Sequence, residues 1–214
     1  MQPLGGMSLI EHVISTAQEI SKKITVVIGH QKNLLKEHLA EIDPIIETVN
    51  QENQLGTAHA VKTASHLIQD DEKVLILYGD VPLISTKTIQ SLLDSKNKCT
   101  LLSMILSDPT GYGRIVSNEE NLALKIIEQK DASEDERKIK EVFTGILLID
   151  GSLLRPALEE INNQNAANEY YLTDLVEILS SKGVKINCIQ ANPTEVLGAN
   201  NKHELHELES ILRK

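Results

Sequence analysis

The chain has 214 residues, 41% hydrophobic and 24% charged, ordinary globular usage that excludes wholesale disorder and suits one α/β domain with a substantial core. Four Tyr, one Phe and no Trp leave the core to Leu, Ile, Val and Ala, and remove the stacking platforms of single-strand binders. A net charge of -10 repels nucleic-acid backbones and anionic membranes, and no stretch reaches the roughly 20 apolar residues of a membrane span.

Ser8-Leu9-Ile10-Glu11 has the form of a capping box. Behind it Leu9, Ile10, Val13, Ile14, Ala17 and Ile20 recur at helical spacing, which predicts an amphipathic helix over 8–21. The apolar run 24–28 reads as a buried strand ended by Gly29, followed by a helix over 32–39 and a short strand over 46–49. Gly56-Thr57 opens a further helix with Ala58, Val61, Ala64, Leu67 and Ile68 on one side. A second apolar strand over 73–78 closes on Gly79-Asp80. Apolar strands separated by amphipathic helices predict an α/β fold, with a mostly parallel sheet covered by helices on both faces.

The second half is more mixed. Strands are expected over 99–106, 113–116, 122–128 and 142–149, with the charged segment 131–140 between the last two. Helices are expected over 152–161, 172–182 and 201–213, and a strand over 184–190. One domain over 1–214 is expected, with 107–143 as a subsidiary lobe and 201–214 as a C-terminal helix. Cys99 and Cys188 are isolated, with no zinc spacing, and read as idle thiols in a reducing compartment. The N-terminus lacks a signal peptide's charged and apolar regions, so a cytoplasmic location is expected. The oligomeric state is left open, a homo-oligomer included.

Several residues suggest chemistry. Asp80 lies just past an apolar strand, where ligands of parallel α/β sheets bind; a lone carboxylate there suits Mg²⁺, or caps the next helix. Gln51 and the Gly56-Thr57 helix entry could offer N–H groups to a uracil carbonyl or a phosphate, or be an ordinary helix start. In the cluster 108–114, Gly111 and Gly113 around Tyr112 could let a sugar ring lie against the backbone, or the cluster could be a hairpin turn. Glu128 ends an apolar strand and could accept from sugar hydroxyls, or be a surface carboxylate. Asn200 could ligate a metal or cap the last helix.

Segments 54–60 (Gln-Leu-Gly-Thr-Ala-His-Ala), 77–84 (Leu-Tyr-Gly-Asp-Val-Pro-Leu-Ile) and 108–115 (Asp-Pro-Thr-Gly-Tyr-Gly-Arg-Ile) occur in order. They are followed by 128–132 (Glu-Gln-Lys-Asp-Ala), 144–146 (Thr-Gly-Ile), 168–174 (Asn-Glu-Tyr-Tyr-Leu-Thr-Asp) and 195–201 (Glu-Val-Leu-Gly-Ala-Asn-Asn). The set resembles the N-terminal pyrophosphorylase domain of the bifunctional N-acetylglucosamine-1-phosphate uridyltransferase/glucosamine-1-phosphate acetyltransferase family, over nearly the whole chain. The resemblance implies a Rossmann-like nucleotide-diphospho-sugar transferase fold. It also implies a reaction of cell-wall precursor synthesis: uridylyl transfer from UTP to N-acetylglucosamine 1-phosphate, giving UDP-N-acetylglucosamine and pyrophosphate.

By position, Asp80 and Asn200 match the family's Mg²⁺ pair, Gln51, Gly56 and Thr57 its uridine contacts, and Tyr78, Gly79, Gly113 and Glu128 its nucleotide and sugar contacts. Two departures stand out. The family's first strand, and the Gly-rich loop with Arg and Lys that follows it, have no counterpart here, which implies impaired catalysis and an open place in the sheet. Phe143 stands where the family has a sugar-binding Asn, which implies weakened or altered sugar recognition. No acetyltransferase repeats follow, so Leu205, Leu208, Ile211 and Leu212 of the last helix, which resemble an interdomain face, are expected to be left exposed. The alternative to an impaired enzyme is a non-catalytic nucleotide-sugar-binding or subunit-interaction module.

Overall fold

The computed structural model describes residues 3–199 and 201–213. A small hairpin, β1 (Pro3–Leu4) and β2 (Met7–Ser8), leads directly into α1 (Leu9–Ile20). The capping box forms as the sequence predicts: the Ser8 hydroxyl accepts from the Glu11 N–H and the Glu11 carboxylate accepts from the Ser8 N–H. The parallel pair β3 (Thr25–Ile28) and β4 (Glu47–Asn50) brackets α2 (Lys32–Ile42). Next come α3 (Thr57–Thr63), β5 (Lys73–Ile76) and α4 (Thr86–Leu93). The hairpin and α4 go beyond the elements expected from sequence. Helix α4 is short, capped by Ser85 accepting from the Thr88 N–H at 3.1 Å, and buries Ile89 and Leu92.

The rest of the chain supplies β6 (Cys99–Ile105), β7 (Arg114–Ser117), β8 (Ala123–Ile127), β9 (Glu141–Asp150), α5 (Gly151–Glu160), α6 (Asp174–Ser181), β10 (Ile186–Gln190) and α7 (Lys202–Leu212). Strands β5 to β10 form one six-stranded sheet, with β6, β7 and β5 all bonded to β9. The α/β class holds, but the sheet is mixed rather than mostly parallel. Strands β5, β6 and β10 do share a direction; β9 runs the other way and lies between β5 and β6, making both of those ladders antiparallel. Local pattern cannot reveal such an insertion, because a strand buried on both faces reads as a continuous apolar run in either direction.

Apolar clusters cover both faces of this sheet. One joins Leu101, Phe143, Leu147 and Ile149 to α5 and α6; the other joins Leu102, Met104, Ile146 and Leu148 to α4. Helix α7 corrects an expectation. Leu208 is fully buried and Leu205 packs beside it, against Leu4, Leu9 and Leu83, so the hairpin covers most of that face; Leu212 stays 45% exposed. Burial pushes the Cys99 and Cys188 thiols up to about 12, so both are inert at neutral pH. Among the described residues no helix is long and apolar enough to cross a membrane.

Candidate active site

Strand β9 creates the site by being longer than its neighbours. Along one edge it pairs with β6. Along the other, Leu147–Asp150 pair with β5, while only Val142 pairs with β7. Beyond the Phe143 N–H, which still bonds to Gly113 just before β7, the edge from 144 to 146 is open. The carboxyl end of β5 leaves the sheet on one side of this break, and the start of β7 enters on the other.

A bulge marks the same place. Between the Leu101↔Leu147 and Ser103↔Phe143 pairs, β9 carries more residues than β6. The excess is accommodated by Gly145 in the left-handed region at φ 87°. The Thr144 hydroxyl donates to the Leu102 carbonyl at 2.8 Å and accepts from the Ile146 N–H at 3.2 Å. The absent side chain at Gly145 leaves room for Tyr78, whose ring carbons lie 2.8–2.9 Å from where a Cβ would sit.

On the β5 side, Tyr78, Gly79 and Asp80 follow the strand as a turn, with the Val81 N–H donating to the Tyr78 carbonyl at 3.2 Å. The Tyr78 phenol is pushed up to about 12, first by burial and then by Glu128, with a hydrogen bond to Thr57 pulling the other way. Thr57 in turn accepts from the Leu172 N–H at 3.0 Å. Burial also raises the Asp80 carboxyl; its own backbone hydrogen bond opposes this and the Glu204 charge adds to it.

On the β7 side, Gly113 accepts from the Phe143 N–H at 2.9 Å. A Cβ at Gly113 would press on the Ile126 side chain at 2.8 Å and would sit in ordinary contact with the Glu128 carboxylate at 3.6 Å. Glu128 is raised mainly by burial and accepts from the Thr173 hydroxyl at 2.9 Å, which lowers it again. Phe143 itself is buried in the core cluster beneath Gly113.

Gln51 lies at a third corner. Its Nε2 donates to the Gly56 carbonyl at 3.1 Å and lies 2.9 Å from His59 Nδ1. Beside it an open recess of about 530 Å³ is lined by residues of the loops after β3 and β4, including His30, Gln31 and Gln54. The break thus gathers Thr57, Tyr78, Asp80, Gly113 and Glu128. Gln51 and Gly56 join through the start of α3, and Gly79 through its turn.

Asn200 lies outside the described residues. The adjacent Ala199 N–H donates to the Asp80 carbonyl at 3.1 Å, and a Cβ on Gly198 would sit 3.5 Å from the Asp80 carboxylate. Three side chains that sequence reasoning passed over also belong here: His59 against Gln51, Thr173 against Glu128, and Glu204, whose charge reaches both Asp80 and Tyr112. Thr173 and His59 sit within the motif segments; Glu204 carries no local signal, because only the return of α7 brings it near.

The profile of the MobA-like NTP transferase domain matches residues 1–167. The chain belongs to that family. This NTP transferase domain is similar to the bifunctional protein GlmU of Caldanaerobacter subterraneus subsp. tengcongensis, with 41% identity over 98% of the chain. It is likewise similar to the GlmU of Brevibacillus brevis, with 42% identity over 100% of the chain. It spans 46% and 47% of those proteins, about half the length of the curated relatives it matches.

Solved structures share the fold at low identity. A UDP-glucose pyrophosphorylase complexed with UDP-glucose superposes with a TM-score of 0.77 at 17% identity, covering 100% of this chain and 89% of that one. A 4-diphosphocytidyl-2C-methyl-D-erythritolsynthase from Anaerococcus prevotii gives 0.70 at 14%, covering 99% and 88%. The expected resemblance and the nucleotide-diphospho-sugar transferase fold both hold, and the domain is of nucleotidyltransferase type.

Proposed function

We propose that this domain binds UTP and N-acetylglucosamine 1-phosphate and is built for uridylyl transfer between them, with UDP-N-acetylglucosamine and pyrophosphate as products. The observation that carries this reading is the break in the β9 edge. There two strand ends present a carboxylate, Asp80, on one side and a glycine backbone with a second carboxylate, Glu128, on the other. Gln51, Gly56 and Thr57 would take the uridine, and Gly113 and Glu128 the sugar hydroxyls. Tyr78 keeps its proton at neutral pH and can donate a hydrogen bond between the two. The similarity to GlmU supports this substrate pair.

The Asp80 environment fits Mg²⁺. A half-buried carboxylate already raised by burial and by Glu204 is stabilised by a cation, and Mg²⁺ commonly takes one or two protein oxygens plus substrate phosphates. The described residues contain no group of three His, Cys, Asp or Glu able to hold a metal, which suits an ion shared with substrate better than a protein cage. Asp80, with Asn200, would hold it. Bound there, Mg²⁺ would neutralise charge developing on the phosphates. The protein's own share is to hold both reactants in line from rigid strand ends.

Calorimetric titration of the purified chain with UDP-N-acetylglucosamine, with and without Mg²⁺, tests this. Metal-dependent binding that is lost in Asp80→Asn is the expected result. No binding by a folded protein would sink the reading. Binding without pyrophosphate release on adding UTP and sugar phosphate would leave a nucleotide-sugar-binding module instead.

A further inference from the structure

Arg114 opens β7 and is 1% exposed, the largest fully buried side chain among the described residues. Its Nη1 donates to the Tyr112 carbonyl, and its Nη2 to Gln129 Oε1 at 2.6 Å. Its Nε is buried with no hydrogen-bond partner. Taking a guanidinium out of water is expensive, and an orphaned donor adds to the expense. Its hydrogen bonds go to two neutral oxygens; the Asp108 and Glu128 charges favour the cation, but burial outweighs them, so stability alone is a poor account of the residue.

What the guanidinium supplies is geometry. Tyr112 immediately precedes Gly113, and Gln129 immediately follows Glu128. One rigid plane therefore ties the backbone entering the β7 wall of the break to the residue leaving the β8 wall. The Gly111 N–H reaches the same Gln129 oxygen at 3.4 Å, drawing the turn into the tie. Arg114 pairs with Ile127, so Gly113 and Glu128 are the next positions along the two strands, and a Cβ built on Gly113 would sit 3.6 Å from the Glu128 carboxylate.

We infer that Arg114 is a positioning residue that sets the separation of the Gly113 backbone from the Glu128 carboxylate, and through it the affinity for the sugar half of a nucleotide sugar. This rests on the uridylyltransferase reading. Lysine cannot replace it, because a point charge lacks the planar fork that holds two acceptors at a fixed spacing.

The test compares UDP with UDP-N-acetylglucosamine, both titrated with Mg²⁺ into the full chain as wild type, Arg114→Met, Arg114→Lys and Gln129→Leu, with melting temperatures recorded. UDP affinity is expected to stay within about twofold, while UDP-N-acetylglucosamine affinity falls about tenfold in Arg114→Met and Gln129→Leu, the size of one misplaced polar contact. Arg114→Lys is expected to recover little of it. Should Arg114→Met fail to fold, Gln129→Leu, which leaves the guanidinium in place, carries the same comparison. Equal losses for both ligands, or no loss in variants that melt like wild type, would reduce Arg114 to a packing residue and leave the function standing. A wild type that binds UDP but gains nothing from the sugar would overturn the proposed substrate, and this role with it.

Discussion

Strands β3 and β9 look alike on paper, both short on polar residues and rich in branched aliphatics, yet the fold treats them differently. Residues 142–149 of β9 are all buried, held by ladders on both edges and by an apolar cluster on each face. In β3 only Ile28 is buried, and Thr25, Val26 and Val27 stay half-exposed. β5 behaves like β3: Val74, Leu75 and Ile76 are half-exposed. Among the described residues β3 bonds only to β4, and β5 only to β9, so each offers one unpaired edge. Burial is set by how many neighbours a strand acquires, not by its own hydrophobicity.

The largest expected effect tests that contrast directly. Leu148→Ala, in the middle of β9, should destabilise the domain by about 2–5 kcal/mol, the usual range for emptying a packed aliphatic site. Val27→Ala in β3 should cost about 1 kcal/mol or less, because its surroundings are already half open. Urea unfolding of both variants decides the matter, and equal losses would mean that the β3 edge is as well packed as the sheet centre.

A smaller effect is expected at the bulge. Gly145→Ala forces a side chain into the left-handed region and against the Tyr78 ring, which should cost about 1–3 kcal/mol. Displacing Tyr78 should also weaken nucleotide-sugar binding. Loss of affinity without loss of stability would show that the glycine serves the ligand alone.

The smallest effect concerns α6, which packs on the sheet around β9. Asp174, at the start of α6, is raised to about 6, chiefly by burial and then by Glu177, Glu128 and Asp131. An unfolded aspartate ionises near 4, so between about pH 4 and 6 the folded state holds the proton longer and loses stability as pH rises. Asp174→Asn should therefore raise the melting temperature at pH 8 and leave it unchanged near pH 4. Its favourable place at a helix N-terminus works in the opposite sense, so a lower melting temperature at pH 8 would show that the helix end outweighs the neighbouring carboxylates.

Much of this was legible in the sequence, and the reasons for the remainder are physical. The capping box at Ser8 and the amphipathic spacing behind it depend on residues within a few positions of one another, so pattern reading recovers them. The site segments were legible as motifs, and the structure brings Thr57, Tyr78, Asp80, Gly113 and Glu128 to one break. The insertion of β9 between β5 and β6 was not legible, because pairing between distant strands leaves no local trace. Burial of Arg114 could not be read either, since an arginine beside a turn normally reads as solvated. The cover over Leu208 escaped for a related reason: it comes from a hairpin at the opposite end of the chain.

The open stretch of β9 has a consequence for how such a domain can change its preferences. The two proposed sets of ligand handles flank a single strand, one set beside Phe143 and the other beside Leu147, so the number of β9 residues between them bears on their spacing. Substitution can retune each handle but cannot alter that count. An insertion or deletion between them would either be absorbed by the bulge at Gly145 or shift the handles by up to about 3.3 Å per residue, so accommodating a longer or shorter substrate is a matter of chain length there more than of side-chain choice.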